Sequence, residues 1–118
     1  MTDVQPMPIP RPEWSSLPYD GCVGVEGKVL RRADDVCLAL LRFGPHGTIH
    51  EHPAGIEIDV ICLEGGGFTS VAGTGASLRA GEAIRWPAGR PHRLWTDGET
   101  MLTLMVEHTA PARQSAER

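Results

Sequence analysis

Apolar and β-branched residues come in short runs along this chain, each closed by glycine, proline or aspartate. The runs are Cys22–Leu30, Val36–Phe43, Thr48–His52, Ile56–Leu63, Gly67–Val71, Ala83–Trp86, His92–Trp95 and Met101–Glu107. Between them stand Asp34-Asp35, Gly44-Pro45, Gly65-Gly66-Gly67, Gly73-Thr74-Gly75 and Asp97-Gly98, all of them turn chemistry. Glycines and prolines interrupt every window longer than about ten residues, so no good helix is predicted. Eight or nine short strands at near-even spacing predict an all-β sandwich or barrel, without internal repeats.

The ends read differently. Residues 1–18 hold five of the ten prolines, four of them at alternate positions from Pro6 to Pro12. Such a segment joins neither a helix nor a sheet interior and predicts an extended arm, pinned to the body by Trp14 and Leu17. Residues 19–109 form the folded body, and 110–118 a polar, frayed tail.

Composition narrows the function classes. The 118 residues make one domain, with 41% apolar and 22% charged residues, an ordinary globular balance. Only 5% are aromatic, so the core is built mainly from Val, Leu, Ile and Ala. A net charge of -4 speaks against nucleic acid or an anionic membrane as partner. No run approaches the ~20 apolar residues that span a bilayer, and no secretory leader pattern opens the chain. Cys22, Cys37 and Cys62 are odd in number and lack CxxC spacing, which predicts buried free thiols in the cytoplasm.

The chemistry lies in the histidines. His50 and His52 are two apart on a predicted strand, so their side chains share a face. Two converging imidazoles are the start of a site for one divalent transition metal: Fe, Mn, Ni, Co, Cu or Zn. Glu57 lies on the next strand, near enough to add a carboxylate. His92, about 40 residues on, follows a Pro-Ala-Gly-Arg-Pro turn, as a ligand from a distant strand should. Asp59 shares a face with Glu57, and either could serve as a catalytic base. His46 and His108 read as structural.

These residues carry a family resemblance. Gly44, His50, His52 and Glu57 stand at the spacings of the first cupin motif, and Gly81, Pro87, Gly89 and His92 at those of the second. Thr96 stands where the family's closing Asn usually lies. The resemblance covers roughly residues 36–107 and implies a double-stranded β-helix, or jelly-roll barrel, holding a metal through His50, His52, His92 and Glu57. His52-Pro53-Ala54-Gly55 and Leu63-Glu64-Gly65 further resemble the small cupins that include anti-sigma sensors and acetylacetone dioxygenases. The family pattern has six residues between the acid and the closing glycine, whereas seven separate Glu57 from Gly65. Counting back from Gly65 puts Ile58 in the acid position, and a bulge would be needed to restore Glu57. The site is therefore three histidines, or three histidines with Glu57.

An apolar pocket lined from among Trp86, Trp95, Phe68, Met101, Met105 and Leu104 follows from the barrel. The function implied is a dioxygenase-type oxidoreductase on a dicarbonyl or enol-like substrate. The alternatives are a metal-dependent isomerase or lyase, or a non-catalytic sensor or ligand-binding domain. These residues show no effector domain, which favours the enzyme. The resemblance also implies a homodimer.

Overall fold

The computed structural model describes residues 4–110. The polar tail predicted for 110–118 therefore falls, beyond Ala110, outside the described residues. The regular structure of the described chain is all strand: β1 (Ser15–Ser16), β2 (Cys22–Arg32), β3 (Val36–His52), β4 (Glu57–Val71), β5 (Thr74–Arg79), β6 (Ala83–Trp86), β7 (His92–Trp95) and β8 (Met101–His108). None of it is a helix long and apolar enough to cross a membrane.

Two long strands organise the barrel. The first half of β3 pairs with β8, and its second half with β7. In the same way β4 pairs first with β8 and then with β7. The circuit β3–β8–β4–β7 is thus closed, and a closed sheet has no edge in its wall. Outside it, β2 lies along β3, β6 along the start of β4, and β5 along its end.

The runs Val36–Phe43 and Thr48–His52 fuse into the single strand β3, as do Ile56–Leu63 and Gly67–Val71 into β4. The intervening glycines bend the strands rather than ending them. At Gly65 the backbone is left-handed, with φ 72°, and a Cβ would overlap the Thr100 carbonyl, so the strand can only turn there as glycine. The Gly73 signal does mark a hairpin: Val71 pairs with Thr74 across Ala72 and Gly73, both at positive φ. That is the two-residue turn whose twist matches its strands. The partner strand, β5, has too few apolar residues to be read from the pattern.

Alternation puts Leu41, Phe43, Ile49, Ile58, Val60, Cys62, Leu94, Met101 and Met105 inside, all buried. Each such side chain contributes roughly 1.5–3 kcal/mol of burial. Thr96, in place of the family's usual Asn, locks the bend of β3: its hydroxyl donates to the Gly44 carbonyl at 2.6 Å and accepts from the Gly47 amide at 2.9 Å.

The proline arm runs outside the barrel. The Arg11 amide donates to the Val29 carbonyl, and β1 pairs with β2. Trp14 is stacked by two cations, Lys28 at 4.6 Å and Arg42 at 4.3 Å from its ring centre.

Candidate functional site

One end of the barrel opens into a cavity of about 620 Å³, whose wall includes Ala39, Leu41, Ile49, Ile58, Trp86 and Met105. Its polar members are set by the ends of the strands. His92 opens β7 directly after the Pro87–Pro91 turn and faces inward, 1% exposed. Trp86, the last residue of β6, stacks flat on it, with ring centres 3.8 Å apart and planes 10° apart. The Trp86 indole is itself fixed, donating to the Thr69 hydroxyl at 3.0 Å, which donates on to the Arg93 carbonyl at 2.9 Å.

His52 reaches the same wall through a bulge. Ile49 pairs with Leu94 and His52 with His92, so β3 spends one residue more than β7 between these pairs. The slip turns His52 to the cavity, with its ring edge-on to His92 at 4.6 Å. His52 Nδ1 lies 2.8 Å from the His50 carbonyl oxygen. A carbonyl only accepts, so Nδ1 holds the hydrogen and Nε2 is left with a lone pair.

The same bulge separates His50 from His52. His50 is exposed and lies against Gly21, where a Cβ would approach its ring within 2.6 Å. The expectation that both imidazoles share one face assumed an unbroken strand, and the strand is broken between them. Glu57 is likewise outside. β4 does bulge between Cys62 and Glu64, but Glu57 stays exposed and Ile58 takes the inward position, 8% exposed. Glu57 accepts from Arg85 at 3.2 Å on the outer wall. Asp59, on that same outer face, accepts two bonds from Arg85 at 2.8 Å and lies 2.8 Å from His108 Nε2. These contacts, Arg85 first, hold the Asp59 carboxyl down at about 2. Neither Glu57 nor Asp59, the two expected candidate bases, lines the cavity.

Of the four candidate ligands, the structure brings two together. Among the described residues no group of three or more His, Cys, Asp or Glu side chains is placed to hold one metal ion. The residues present offer two imidazoles, and do not fit the three- or four-ligand centre that the motif spacing implies. The remaining inward position is an isoleucine, which has no donor atom.

His92 itself is chemically unsatisfied. Both its ring nitrogens are buried without a hydrogen-bond partner among the described residues. Burial first, and then the neighbouring His52, lower its pKa from 6.5 to about 4, with the Arg90 backbone acting in the opposite direction. It is a neutral imidazole in an apolar wall, able to accept or donate one hydrogen bond at each nitrogen.

Of the residues expected in the lining, Trp86 and Met105 are there. Phe68 and Trp95 instead stack on each other at 5.8 Å, on the inward–outward alternation opposite to Leu94 and Thr69. Leu104 also points outward, as its half-buried place between buried Thr103 and Met105 requires.

Glu107 was not anticipated. It continues the inward series Met101, Thr103, Met105 on β8 and lines the cavity. Its only signal in the sequence is an acid in phase with apolar residues at the end of a strand.

Residues 39–107 match the family model for the cupin domain. Among solved structures, the chain is similar to the polyketide cyclase RemF from Streptomyces resistomycificus, at 24% identity and TM-score 0.76, covering 91% of this chain and 83% of that one. It is also similar to a cupin-like protein from Thermotoga maritima, at 19% identity and TM-score 0.75, covering 81% and 77%. KdgF from Halomonas sp. matches at 15% identity and TM-score 0.70, covering 86% and 90%. At these identities the likeness is one of fold. No curated protein matches the sequence.

Proposed function

The chain belongs to the cupin family, and we propose that within it this barrel binds a small, largely apolar, oxygen-bearing molecule and transfers a proton on it. The observation that carries this is His92, fully buried with both ring nitrogens unpartnered, on the wall of an apolar cavity. Leaving buried polar atoms unpaired costs about 1–3 kcal/mol each, which a ligand oxygen would recover. The pair also has an exit for a proton: His92 is buried, whereas the adjoining His52 is exposed. A proton from an enol-like ligand goes to the Nε2 lone pair of exposed His52 and on to solvent, while neutral His92 holds the ligand oxygen. Fold likeness does not choose the reaction; the similar polyketide cyclase RemF agrees with an organic ligand in the barrel.

The test is binding of phenols and enolisable ketones, followed by quenching of Trp86 fluorescence. Wild type is expected to bind members of the panel, with His92→Phe losing at least tenfold in affinity. Equal affinities in the two proteins would overturn the reading.

The same unpartnered nitrogens favour a second reading, a divalent transition metal carried on His52 and His92. Oxygenase chemistry would need more protein ligands than these two. Metal analysis of untagged protein decides it: one equivalent, lost in His92→Ala and kept in His50→Ala, would establish a two-histidine metal site.

We also propose a homodimer. Leu38, Leu40, Ile61, Leu102, Leu104 and Val106 form a half-buried apolar face outside the barrel across β3, β8 and β4. Its bordering charges are already paired within the chain, Glu26 with Arg42 and Asp59 with Arg85. Such a face can meet its own copy without like charges opposing. Light scattering is expected to give a dimer for wild type and a monomer for Leu104→Arg; a wild-type monomer would refute it.

A further inference from the structure

The far wall of the cavity carries a second polar cluster, built by register. Arg32 pairs with Cys37 between β2 and β3, Cys37 with Glu107 between β3 and β8, Glu107 with Ile58 between β8 and β4, and Ile58 with Trp86 between β4 and β6. Directly paired residues project to the same side of a sheet. All five line the cavity. They make a belt around its mouth, which Trp86 continues onto His92 and His92 onto His52.

Within this belt Glu107 is unspent. Among the described residues its carboxyl makes no side-chain hydrogen bond or ion pair, in contrast to Glu26, Glu57, Asp59 and Glu99, which each have an arginine partner. Burial raises its pKa, and the Arg32 charge acts in the opposite direction. Glu107 is half-buried on the cavity wall, and a partly desolvated carboxyl without a partner favours an occupant of the cavity that donates to it.

We propose that Glu107 and Arg32 form a second anchor, which selects ligands carrying a hydroxyl group at the end remote from the His52–His92 pair. The proposal rests on the ligand-binding reading above and specifies its substrate class. A guanidinium only donates, and a carboxylate only accepts. A hydroxyl satisfies both at once, its oxygen accepting from Arg32 and its hydrogen going to Glu107. A carbonyl or an ether satisfies the first alone. Between the two anchors stand Ile58 and the plane of Trp86, and Ala39, Leu41 and Met105 line the same cavity. The ligand is therefore a flat, apolar molecule with oxygen functions at two ends, at least the far one a hydroxyl.

Three naphthalenes test this: 2-naphthol, 2,6-dihydroxynaphthalene and 6-methoxy-2-naphthol, titrated calorimetrically into wild type and into Glu107→Leu, Glu107→Gln and Arg32→Met. In wild type the diol is expected to bind about tenfold more tightly than the methoxy compound, whose far oxygen cannot donate. Glu107→Leu should bring the two to equal affinity, and Glu107→Gln, whose amide oxygen still accepts, should keep part of the preference. Arg32→Met, the second variant should Glu107→Leu fail to fold, keeps Glu107 and should weaken the diol and the methoxy compound alike, because both far oxygens accept from the guanidinium; unchanged affinities in it would overturn the anchor. A diol preference that persists in Glu107→Leu overturns the anchor. Equal binding of all three compounds to wild type overturns the anchor but leaves the ligand site standing. Absence of binding by all three refutes both.

Discussion

Along β4, Ile58, Val60 and Cys62 turn into the barrel and are buried, whereas Glu57 and Asp59 turn outward and are held by Arg85 and His108. The two sets alternate on one backbone, so a shift of a single residue would exchange them. With the acids inside, the cavity would have two imidazoles and a carboxylate, a donor set for a metal ion. With the isoleucine inside, it has two imidazoles in an apolar wall. The difference between the faces thus decides the chemistry, and it is decided by where the strands bulge rather than by which residues the chain contains.

The largest effect is expected from placing the acid on the inner face. Ile58→Glu should lower the unfolding free energy by about 2–4 kcal/mol, because a carboxyl replaces a packed side chain in a buried wall. Zinc should then raise the melting temperature of this variant well above any effect on wild type, since the new carboxylate joins His52 and His92. Equal zinc stabilisation of both proteins would show that the inward acid position is not beside the histidine pair.

A smaller effect comes from His92. Its folded pKa of about 4 lies below its ordinary 6.5. The unfolded chain therefore takes up a proton that the folded chain refuses, and stability contributed by neutral His92 is full above about pH 6.5. It falls as the pH drops toward 4, by up to about 3 kcal/mol at roughly 1.4 kcal/mol per pH unit. Denaturant titrations between pH 4 and 7 should show this slope in wild type and lose it in His92→Gln. A slope unchanged in the variant would place its origin elsewhere.

The strands, the barrel and the site were legible in the sequence to different depths. Apolar runs located six of the eight strands in whole or in part, because half-buried sheets impose alternation that residue type reveals. β1 and β5 escaped: β1 is two serines, and β5 is exposed except at Leu78. Two motifs were sufficient to place His92, which follows a proline-framed turn at the head of a short strand. They failed at His50 and Glu57, because spacing counts residues and not faces. The bulge between Ile49 and His52 reverses the parity of one, and the bulge between Cys62 and Glu64 takes up the extra residue yet leaves Glu57 on the outside. The seven-residue gap before Gly65 was the one readable warning. Glu107 gave no motif at all, since its meaning comes from the strands that pair beside it.

The outer face supplies the smallest effects and the cleanest control. Asp59→Asn should cost about 1 kcal/mol at pH 7, since the lost carboxylate accepted two bonds from Arg85 and lay beside His108. The depressed pKa of about 2 means that this contribution is present above the ordinary carboxylate value of 3.8 and is lost as the pH falls toward 2. Glu57→Gln should cost less, under about 0.5 kcal/mol, because its contact with Arg85 is a single bond of 3.2 Å between side chains about half exposed. Neither substitution should alter naphthol affinity, because neither side chain lines the cavity. The ratio of ligand affinities in Glu57→Gln and wild type is therefore a direct reading of which face the acid occupies. A value near one keeps Glu57 on the outside, and a tenfold loss would turn β4 over, returning the acid to the position that the motif spacing gave it.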